Sequence, residues 1–253
     1  MVGGNPWLTT ADTTVPPRAR LFCIPFAGGS PVVFRSWQEH FPADIQVCAL
    51  NFPGRGNRMT EPSLRRMDTL VAQAADAMAP LLDVPFAILG HSLGALIGYE
   101  LAVHLREKGH GDPFLLVASA ARGPQLPDPY PPLHHLPRDQ FIEGMQDRYG
   151  GIPREILNEP DLLALLIPPL QADLELFETY RYTPRPPFSC PVAVFGGNED
   201  HRLDDLQYRA WQEVTTGPLT VTMVPGGHFF IQEQGSRVAA AVATVCRDAL
   251  PPA

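Results

Sequence analysis

The fold is decided by residues 84–95, which read VPFAILGHSLGA. Apolar residues before Gly90 predict a buried strand, and leucines at positions 93, 96, 101 and 105 predict a helix behind it. The pentapeptide between them fits the pattern G-x-S-x-G, a turn so tight that its outer residues nearly touch and must be small. Such a turn holds the hydroxyl of Ser92 clear of the sheet. The stretch therefore predicts a serine nucleophile on a strand–turn–helix unit.

Strands and helices alternate along much of the remaining chain. Five further apolar runs predict strands at residues 20–25, 44–50, 114–118, 191–195 and 219–224. This alternation is typical of a mostly parallel sheet flanked by helices. The last run alternates apolar and polar residues, which indicates an edge strand. Residues 1–18 are rich in threonine and proline, and we expect a loose arm that Trp7 holds to the body.

The segment 122–187 breaks the alternation. It combines many prolines with short helical patterns, and no strand is predicted within it. Because it lies between two sheet strands, we interpret it as a helical lid over the site, within a single domain spanning residues 1–253. Phe141 and Met145 share one of its helical faces and are expected to turn towards the site. The alternative is a set of ordinary core helices.

Three residues with complementary chemistry follow predicted strands. Ser92, Asp200 and His228 each come just past a strand's carboxyl end, and these ends meet at one edge of a parallel sheet. A serine hydroxyl becomes an effective nucleophile when an imidazole takes its proton, and a carboxylate orients that imidazole. Serine, acid, histidine is the chain order of α/β-hydrolases. The sequence therefore predicts an α/β-hydrolase fold with this catalytic triad.

Other acids and histidines compete for these roles. Asp204 and Asp205 are alternative acids. His201 is next to Asp200, but the base is expected last in the chain, before the final helix. His91 lies inside the tight turn, where we expect its ring to point away from the reacting atom. Asp200 and the later histidine remain the favoured pair.

Two loops that follow the first strands contain glycine. Gly28 and Gly29 come directly after the first predicted strand, where backbone N–H groups could bind an oxyanion; the alternative is a plain turn. Arg55 and Arg58 lie in the loop after the second strand. They could bind an anion, but a charged pair on a loop is more often solvated, and we expect solvation here.

Composition and charge argue against several function classes. The 253 residues carry a net charge of −8 with no basic stripe, which argues against nucleic acid as a partner. No apolar run is long enough to cross a membrane and the N-terminus lacks signal-peptide features, so we expect a cytoplasmic protein. The four cysteines lie in or beside apolar stretches and are predicted to be buried and unpaired. No grouping of His, Cys or Asp has the spacing of a metal site, so no metal is expected.

The chain resembles the type II thioesterases, the stand-alone editing enzymes of polyketide and nonribosomal peptide synthesis. The matching segments are PFAGG (25–29), FPGRG (52–56), GHSLGA (90–95), residues 173–180 and PGGHFF (225–230). The FPGRG loop is the most specific of them to the family. Two positions depart from its pattern: Leu93 stands where methionine is frequent, and Gln171 stands where the lid often has arginine.

The resemblance implies a substrate and further site residues. It implies hydrolysis of an acyl group held as a thioester on the phosphopantetheine arm of an acyl or peptidyl carrier protein. The arm belongs to the substrate, so no cofactor of the enzyme itself is expected. The backbone N–H groups of Ala27 and Leu93 would hold the oxyanion. The apolar side chains expected to contact the acyl chain are Phe26, Phe141, Met145 and Phe229.

Other interpretations remain open from the residues alone. A small-molecule carboxylesterase on the same fold would carry the same triad. A releasing or cyclising domain of a synthase would also carry it. A ligand receptor on a hydrolase-like fold is disfavoured, because a receptor has no need of all three catalytic residues. For the thioesterase, a monomer is the expected state.

Overall fold

A seven-stranded sheet forms the centre of the protein. The computed structural model describes residues 5–150, 152 and 154–252. The strands are β1 (Leu8–Thr10), β2 (Ala19–Ile24), β3 (Ile45–Leu50), β4 (Phe86–His91), β5 (Leu115–Ser119), β6 (Val192–Gly197) and β7 (Leu219–Val224). Their order is β1-β3-β2-β4-β5-β6-β7, and all neighbours are parallel except β1 and β3. The α/β-hydrolase type of sheet predicted from the sequence is confirmed.

Helices cover both faces of this sheet. They are α1 (Met67–Met78), α2 (Leu93–Glu107), α3 (Arg138–Tyr149), α4 (Arg154–Leu157), α5 (Pro160–Glu178), α6 (Asp205–Arg209), α7 (Phe230–Glu233) and α8 (Gly235–Ala249). Successive strand residues point to opposite faces. Phe22 of β2 therefore packs in the core cluster that includes α1 and α2, whereas Leu21 packs in the cluster that includes α8. Burial on both faces explains why the central strands read as continuous apolar runs.

The sheet brings the three predicted catalytic residues to one edge. Ser92 follows β4, Asp200 follows β6, and His228 follows β7. These strands run parallel to one another through β5. Their carboxyl ends therefore lie on the same side, where ligands bind in open α/β sheets.

The predicted loose arm is wrong for part of its length. Residues 8–10 form β1, an antiparallel edge strand whose Leu8 is paired with Leu50. Trp7 does hold this segment to the body, as expected: its ring meets Phe52 edge-on at 6.2 Å between centroids, and the guanidinium of Arg58 lies 4.4 Å from its centroid. Three residues are too few to show the apolar–polar alternation that reveals a strand.

Three helices and connecting loops fill the chain between β5 and β6. In the described part of this segment we find α3, α4 and α5 and no strand of the sheet. The segment has an apolar cluster of its own, consisting of Leu133, Phe141, Met145, Ile152, Leu163, Ile167 and Leu174. We call residues 122–187 the insertion. That it moves as a lid stays a prediction.

Helix α5 runs through two prolines. The prolines and short helical patterns of the insertion favoured separate helices before and after Pro168 and Pro169, but one 19-residue helix spans both. Each proline removes a backbone N–H and normally bends or breaks a helix. Packing on both sides of the interruption compensates here: Leu163 and Ile167 are buried in the cluster of the insertion, and Leu176 is buried in the main core. Tertiary contacts thus outweigh a local signal that favoured two helices.

Cys23, Cys48, Cys190 and Cys246 are all buried and free, which confirms the prediction. Burial raises the pKa of the Cys48 thiol to about 12, so this sulfur stays protonated and inert.

Among the described residues, no helix has the length and apolar character required to span a bilayer.

Candidate active site

A strained turn presents Ser92 between β4 and α2. Its φ of 57° and ψ of −120° lie outside the regions that non-glycine residues normally occupy. The turn is crowded: a Cβ on Gly90 would lie 1.9 Å from the carbonyl oxygen of Gly94, and a Cβ on Gly94 would lie 2.4 Å from that of Ile24. The Ser92 backbone N–H donates to the carbonyl of Ser119 at 2.7 Å. Both glycines are therefore required by space, as the sequence pattern predicted.

Ser92, His228 and Asp200 form one hydrogen-bonded line. The Ser92 hydroxyl lies 2.9 Å from Nε2 of His228, and Nδ1 of His228 lies 2.8 Å from Oδ2 of Asp200. The loops that carry the acid and the base approach closely, since a Cβ on Gly197 would lie 2.5 Å from the carbonyl oxygen of Gly227. With Nδ1–H donated to the carboxylate, Nε2 is free to accept the serine proton. The arrangement can activate a nucleophile.

The electrostatics of the site suit a neutral base beside an ionised acid. Burial lowers the pKa of His228, the positive charge of Arg202 lowers it further, and Asp200 offsets these effects only in part. Burial opposes ionisation of Asp200, but the hydrogen bond and charge of His228 together with Arg202 outweigh it and hold the pKa of this carboxyl below its usual range. At neutral pH His228 is therefore unprotonated and able to take a proton.

Arg202 is a member of this site that the sequence analysis missed. Its Nε and Nη2 atoms each lie 3.0 Å from one oxygen of Asp200, and its guanidinium also contacts Nδ1 of His228. The same group lies over the ring of Tyr149 from α3, 4.4 Å from its centroid. The only signal in the sequence was an arginine two positions after the predicted acid, which is too common to be informative.

His91 points away from the reacting atom, as predicted, but it is not idle. Its ring is fully buried, with Nε2 2.9 Å from the backbone carbonyl of His228 and Nδ1 2.8 Å from the Ser119 hydroxyl. A carbonyl only accepts, so Nε2 carries the proton and the Ser119 hydroxyl donates to Nδ1. Burial lowers the pKa of His91 well below its ordinary value, which keeps this neutral form.

The two predicted oxyanion donors border the same small cavity as Ser92. Leu93 is the first residue of α2, so its N–H has no acceptor within the helix. Ala27 lies in the loop after β2, and its N–H donates to no described residue. The next amide along, that of Gly28, is already bound to the Asp173 carboxylate at 2.7 Å. Ala27 and Leu93 therefore offer free donors beside the nucleophile.

Two cavities meet at Ser92 and His228. The larger, about 630 Å³, is lined by the loop from Ala120 to Pro132, by residues 180–182 and by Arg202. The smaller, about 30 Å³, lies beneath the insertion and is mostly apolar. Tyr149 and Phe177 also line both cavities. A substrate with its reacting carbonyl at Ser92 can therefore extend in two directions.

The apolar residues predicted to contact the acyl chain divide into two groups. Phe26, Met145 and Phe229 line the small cavity together with Ser92. Phe141 does not: it is fully buried in the cluster of the insertion and borders neither cavity. Both residues lie on one face of α3 and in the same cluster, but four residues separate them by about 6 Å along the helix axis, and only Met145 comes close enough to border the cavity. The structure thus does not place Phe141 beside Ser92, and its role as a substrate contact stays a prediction.

The competing acids and histidine have other roles. Asp204 caps α6, accepting a hydrogen bond from the Gln207 N–H at 2.8 Å. Asp205 pairs with Arg209 on the surface at 2.5 Å. His201 is exposed. Asp200 alone of these acids contacts His228. Within the part of the chain that the structure describes, no group of His, Cys, Asp or Glu is placed to hold a metal ion.

The expectation that Arg55 and Arg58 are solvated is wrong. Both are buried, with 7% and 6% of their surface exposed. Arg55 binds both oxygens of Asp173, at 2.6 and 2.7 Å. Arg58 binds both oxygens of Glu61, at 2.8 and 2.6 Å, and donates to the carbonyl of Asn51. Asp173 is far away in the chain, so nothing near Arg55 in the sequence revealed its partner.

Comparisons with known proteins support the resemblance seen in the sequence. Gramicidin S biosynthesis protein GrsT of Aneurinibacillus migulanus is 38% identical over 229 residues, which cover 90% of this chain and 89% of GrsT. The RedJ thioesterase of the prodiginine pathway of Streptomyces coelicolor aligns with a TM-score of 0.83 at 34% identity, covering 90% of this chain and 86% of RedJ. ClbQ of the colibactin NRPS/PKS pathway aligns with a TM-score of 0.87 at 27% identity, covering 92% and 98%. The model of the thioesterase domain family matches residues 19–249. Type II thioesterases of such biosynthetic pathways are among its structural relatives, and the chain itself belongs to the thioesterase domain family.

Proposed function

We propose that this enzyme removes acyl groups from the phosphopantetheine arms of carrier proteins in a polyketide or nonribosomal peptide pathway. The observation that carries the proposal is the line from Ser92 through His228 to Asp200, which opens into both cavities. The names of its relatives GrsT, RedJ and ClbQ refer to pathways of this kind. Removal of stalled or wrong acyl groups would return the carriers to use.

In the first half of the reaction the acyl group moves to the enzyme. His228 Nε2 takes the proton of Ser92 while the serine oxygen attacks the thioester carbonyl. The carbonyl oxygen becomes an oxyanion, which the N–H groups of Ala27 and Leu93 stabilise. When the C–S bond breaks, the sulfur takes the proton from His228 and leaves as the thiol of the carrier arm. An ester on Ser92 remains.

In the second half water releases the acid. His228 takes a proton from the attacking water, and the same two N–H groups hold the second oxyanion. The C–O bond to Ser92 breaks, the serine oxygen recovers the proton from His228, and the free carboxylic acid departs. Asp200 stays ionised throughout and orients the imidazole.

The two cavities suit the two ends of the substrate. The small apolar cavity, about 30 Å³, suits the first carbons of the acyl chain beside the carbonyl, and burying each CH₂ contributes about 0.8 kcal/mol. The larger cavity has a more polar lining that includes Arg122 and Arg202, and it fits the amide-rich arm. The arm itself belongs to the carrier, so the enzyme needs no cofactor of its own. We further propose that it acts as a cytoplasmic monomer.

The test is Ser92→Ala, assayed on carrier proteins loaded with acyl groups of different length, with release followed by intact mass. Loss of the nucleophile is expected to lower turnover by a factor on the order of 10⁶. Ser236→Ala, an exposed serine at the start of α8, is the matched control and should retain activity. Simple esters assayed in parallel separate this function from a carboxylesterase. Fast ester cleavage without release from carriers would refute the proposal.

A further inference from the structure

We infer that Arg55 and Asp173 are positioning residues that set the direction of the Ala27 oxyanion donor by holding the next peptide, at Gly28. The inference rests on the proposed function, in which Ala27 stabilises the oxyanion. Three segments distant in sequence meet here: the loop after β2, the loop after β3, and helix α5 of the insertion. The sequence predicted no contact among these three segments.

The contacts join a buried ion pair, Arg55 with Asp173, to the exposed loop residue Gly28. Asp173 Oδ2 accepts hydrogen bonds from the Gly28 N–H at 2.7 Å and from Arg55 Nη1 at 2.6 Å. Its Oδ1 accepts from Arg55 Nη2 at 2.7 Å. The Asp173 side chain is 1% exposed and that of Arg55 is 7% exposed. Charge-assisted, bidentate hydrogen bonds such as those between Arg55 and Asp173 are strong and directional, so the carboxylate that binds the Gly28 N–H is itself fixed in place.

Holding Gly28 fixes the neighbouring donor. The Gly28 N–H and the Ala27 carbonyl share one rigid peptide plane. The preceding peptide, which carries the Ala27 N–H, is tied to the same turn because its Phe26 carbonyl accepts a hydrogen bond from the Gly29 N–H at 2.8 Å. A shift of the Gly28 peptide away from Asp173 would therefore also move the Ala27 N–H. Gly28 adopts φ of +75°, and a Cβ there would lie 3.2 Å from Leu170 Cδ1 of α5. Helix α5, which supplies Asp173, thus also lies close to this loop at Leu170.

The placement argues against a direct role in binding. Arg55 and Asp173 line neither cavity, so neither side chain touches a substrate at Ser92. Their charges also need not serve stability, since an apolar pair of similar volume is often as stable as a buried ion pair. Besides Arg55, the Asp173 carboxylate binds the Gly28 N–H. An oxyanion donor gains from such fixed geometry because it then needs no reorganisation during the reaction.

The first variant is Arg55→Lys, with Arg58→Lys as its matched control. The two arginines lie three residues apart, their side chains are equally buried, and each binds a carboxylate through two nitrogens. Of the two, only Arg55 binds the carboxylate that holds Gly28, in the loop after β2 that we call the oxyanion loop (residues 26–29). Two rates are measured: kcat on an acyl carrier, and phosphonylation of Ser92 by a fluorophosphonate, whose P=O oxygen occupies the oxyanion position. Unfolding temperature is recorded for every variant.

We expect Arg55→Lys to lower both rates by about 10- to 100-fold with little change in KM, short of the 10²- to 10³-fold loss on deleting an oxyanion donor. Arg58→Lys should leave both rates near those of the native enzyme. Equal losses in the two variants would overturn the inference, because they would show a general effect of disturbing this loop. A rise in KM with unchanged kcat would overturn it too, since it would indicate a role in binding.

A second variant separates positioning from folding. Arg55→Met combined with Asp173→Leu removes both charges, leaves no buried charge unpaired, and should keep the unfolding temperature near that of the native protein. It leaves the Gly28 N–H without its acceptor, so both rates should still fall. Native rates in this folded double variant would overturn the inference. Phosphonylation needs only the site, so it tests the inference even if the enzyme released no acyl group from carriers, the result that would refute the proposed function.

Discussion

The ring of His91 is hydrogen-bonded to the backbone of His228, with Nε2 2.9 Å from the carbonyl oxygen. His91, which directly precedes Ser92, thus holds the loop that carries His228. Its other nitrogen accepts from the Ser119 hydroxyl, at the end of β5. The ends of β4 and β5 and the loop after β7 are joined in this way. Because a single ring connects them, the relative placement of Ser92 and His228 depends on it.

His91→Leu is expected to lower both stability and turnover. The change leaves the carbonyl of His228 and the Ser119 hydroxyl without partners, and each buried unpaired group costs about 1–3 kcal/mol. Urea unfolding should show this loss, and kcat should fall because the His228 loop is free to shift. Ser119→Ala is the control: it retains the bond to His228 and should keep most of the activity. Native kcat in His91→Leu would contradict the role.

Asp200→Asn is expected to lower turnover by a factor of roughly 10⁴, because the amide favours the wrong imidazole tautomer. Single-turnover kinetics on an acyl carrier would measure the loss. Asp204→Asn provides the comparison, since asparagine is as good a helix cap as aspartate and Asp204 does not contact His228. A large loss in Asp204→Asn with little effect at Asp200 would mean that the wrong acid has been assigned.

Arg202→Gln is expected to move the acidic limb of kcat/KM to higher pH. That limb reports the pKa of the base in the free enzyme. Burial lowers the pKa of His228 and the Arg202 charge lowers it further. Removing the charge therefore raises this pKa, so His228 becomes protonated, and inactive as a base, at a higher pH than in the native enzyme. A pH–rate profile at constant ionic strength would show the shift.

The control for that shift is Arg209→Gln, which removes an exposed arginine paired with Asp205 and away from the base. Its profile should coincide with that of the native enzyme. A shift of the Arg202→Gln profile to lower pH, or none at all, would show that Arg202 does not act on His228 through its charge.

The residues of the proposed triad could be located from the sequence because their signals are local. Ser92 lies in a five-residue pattern, and Asp200 and His228 directly follow apolar runs that any parallel sheet would use as strands. The sheet order then brings them together without further information. The same holds for most strands, whose observed bounds differ from the predicted ones by one or two residues.

The remaining features depend on contacts that no local pattern reveals. Arg55 and its partner Asp173 lie 118 positions apart, and burial of the pair follows only from the packing of α5 on the oxyanion loop. Phe141 and Met145 look alike in the sequence and lie in the same apolar cluster, yet only Met145 also borders the cavity beside Ser92. Helical periodicity identifies a buried face, but it does not say what that face is buried against.

Met145→Trp is expected to change the preference for acyl-chain length more than it changes stability. Met145 lines the cavity beside Ser92, whose volume is only about 30 Å³, so a larger side chain leaves less room for the acyl group. Overpacking of this kind costs about 1–3 kcal/mol of stability. The ratio of kcat/KM for long over short acyl carriers should therefore fall, whereas Met145→Ala should raise it.

Phe141→Leu is the matched control for this prediction, because Phe141 lies on the same helix and in the same apolar cluster but borders neither cavity. It should lower the unfolding temperature without altering the preference for chain length. Kinetics on a series of carriers loaded with acyl groups of increasing length would compare the three variants directly. If Phe141→Leu altered the preference and the two Met145 variants did not, the small cavity would not be the site of the acyl chain. The acyl chain would then have to bind in the larger cavity, which Tyr149 and Phe177 also line.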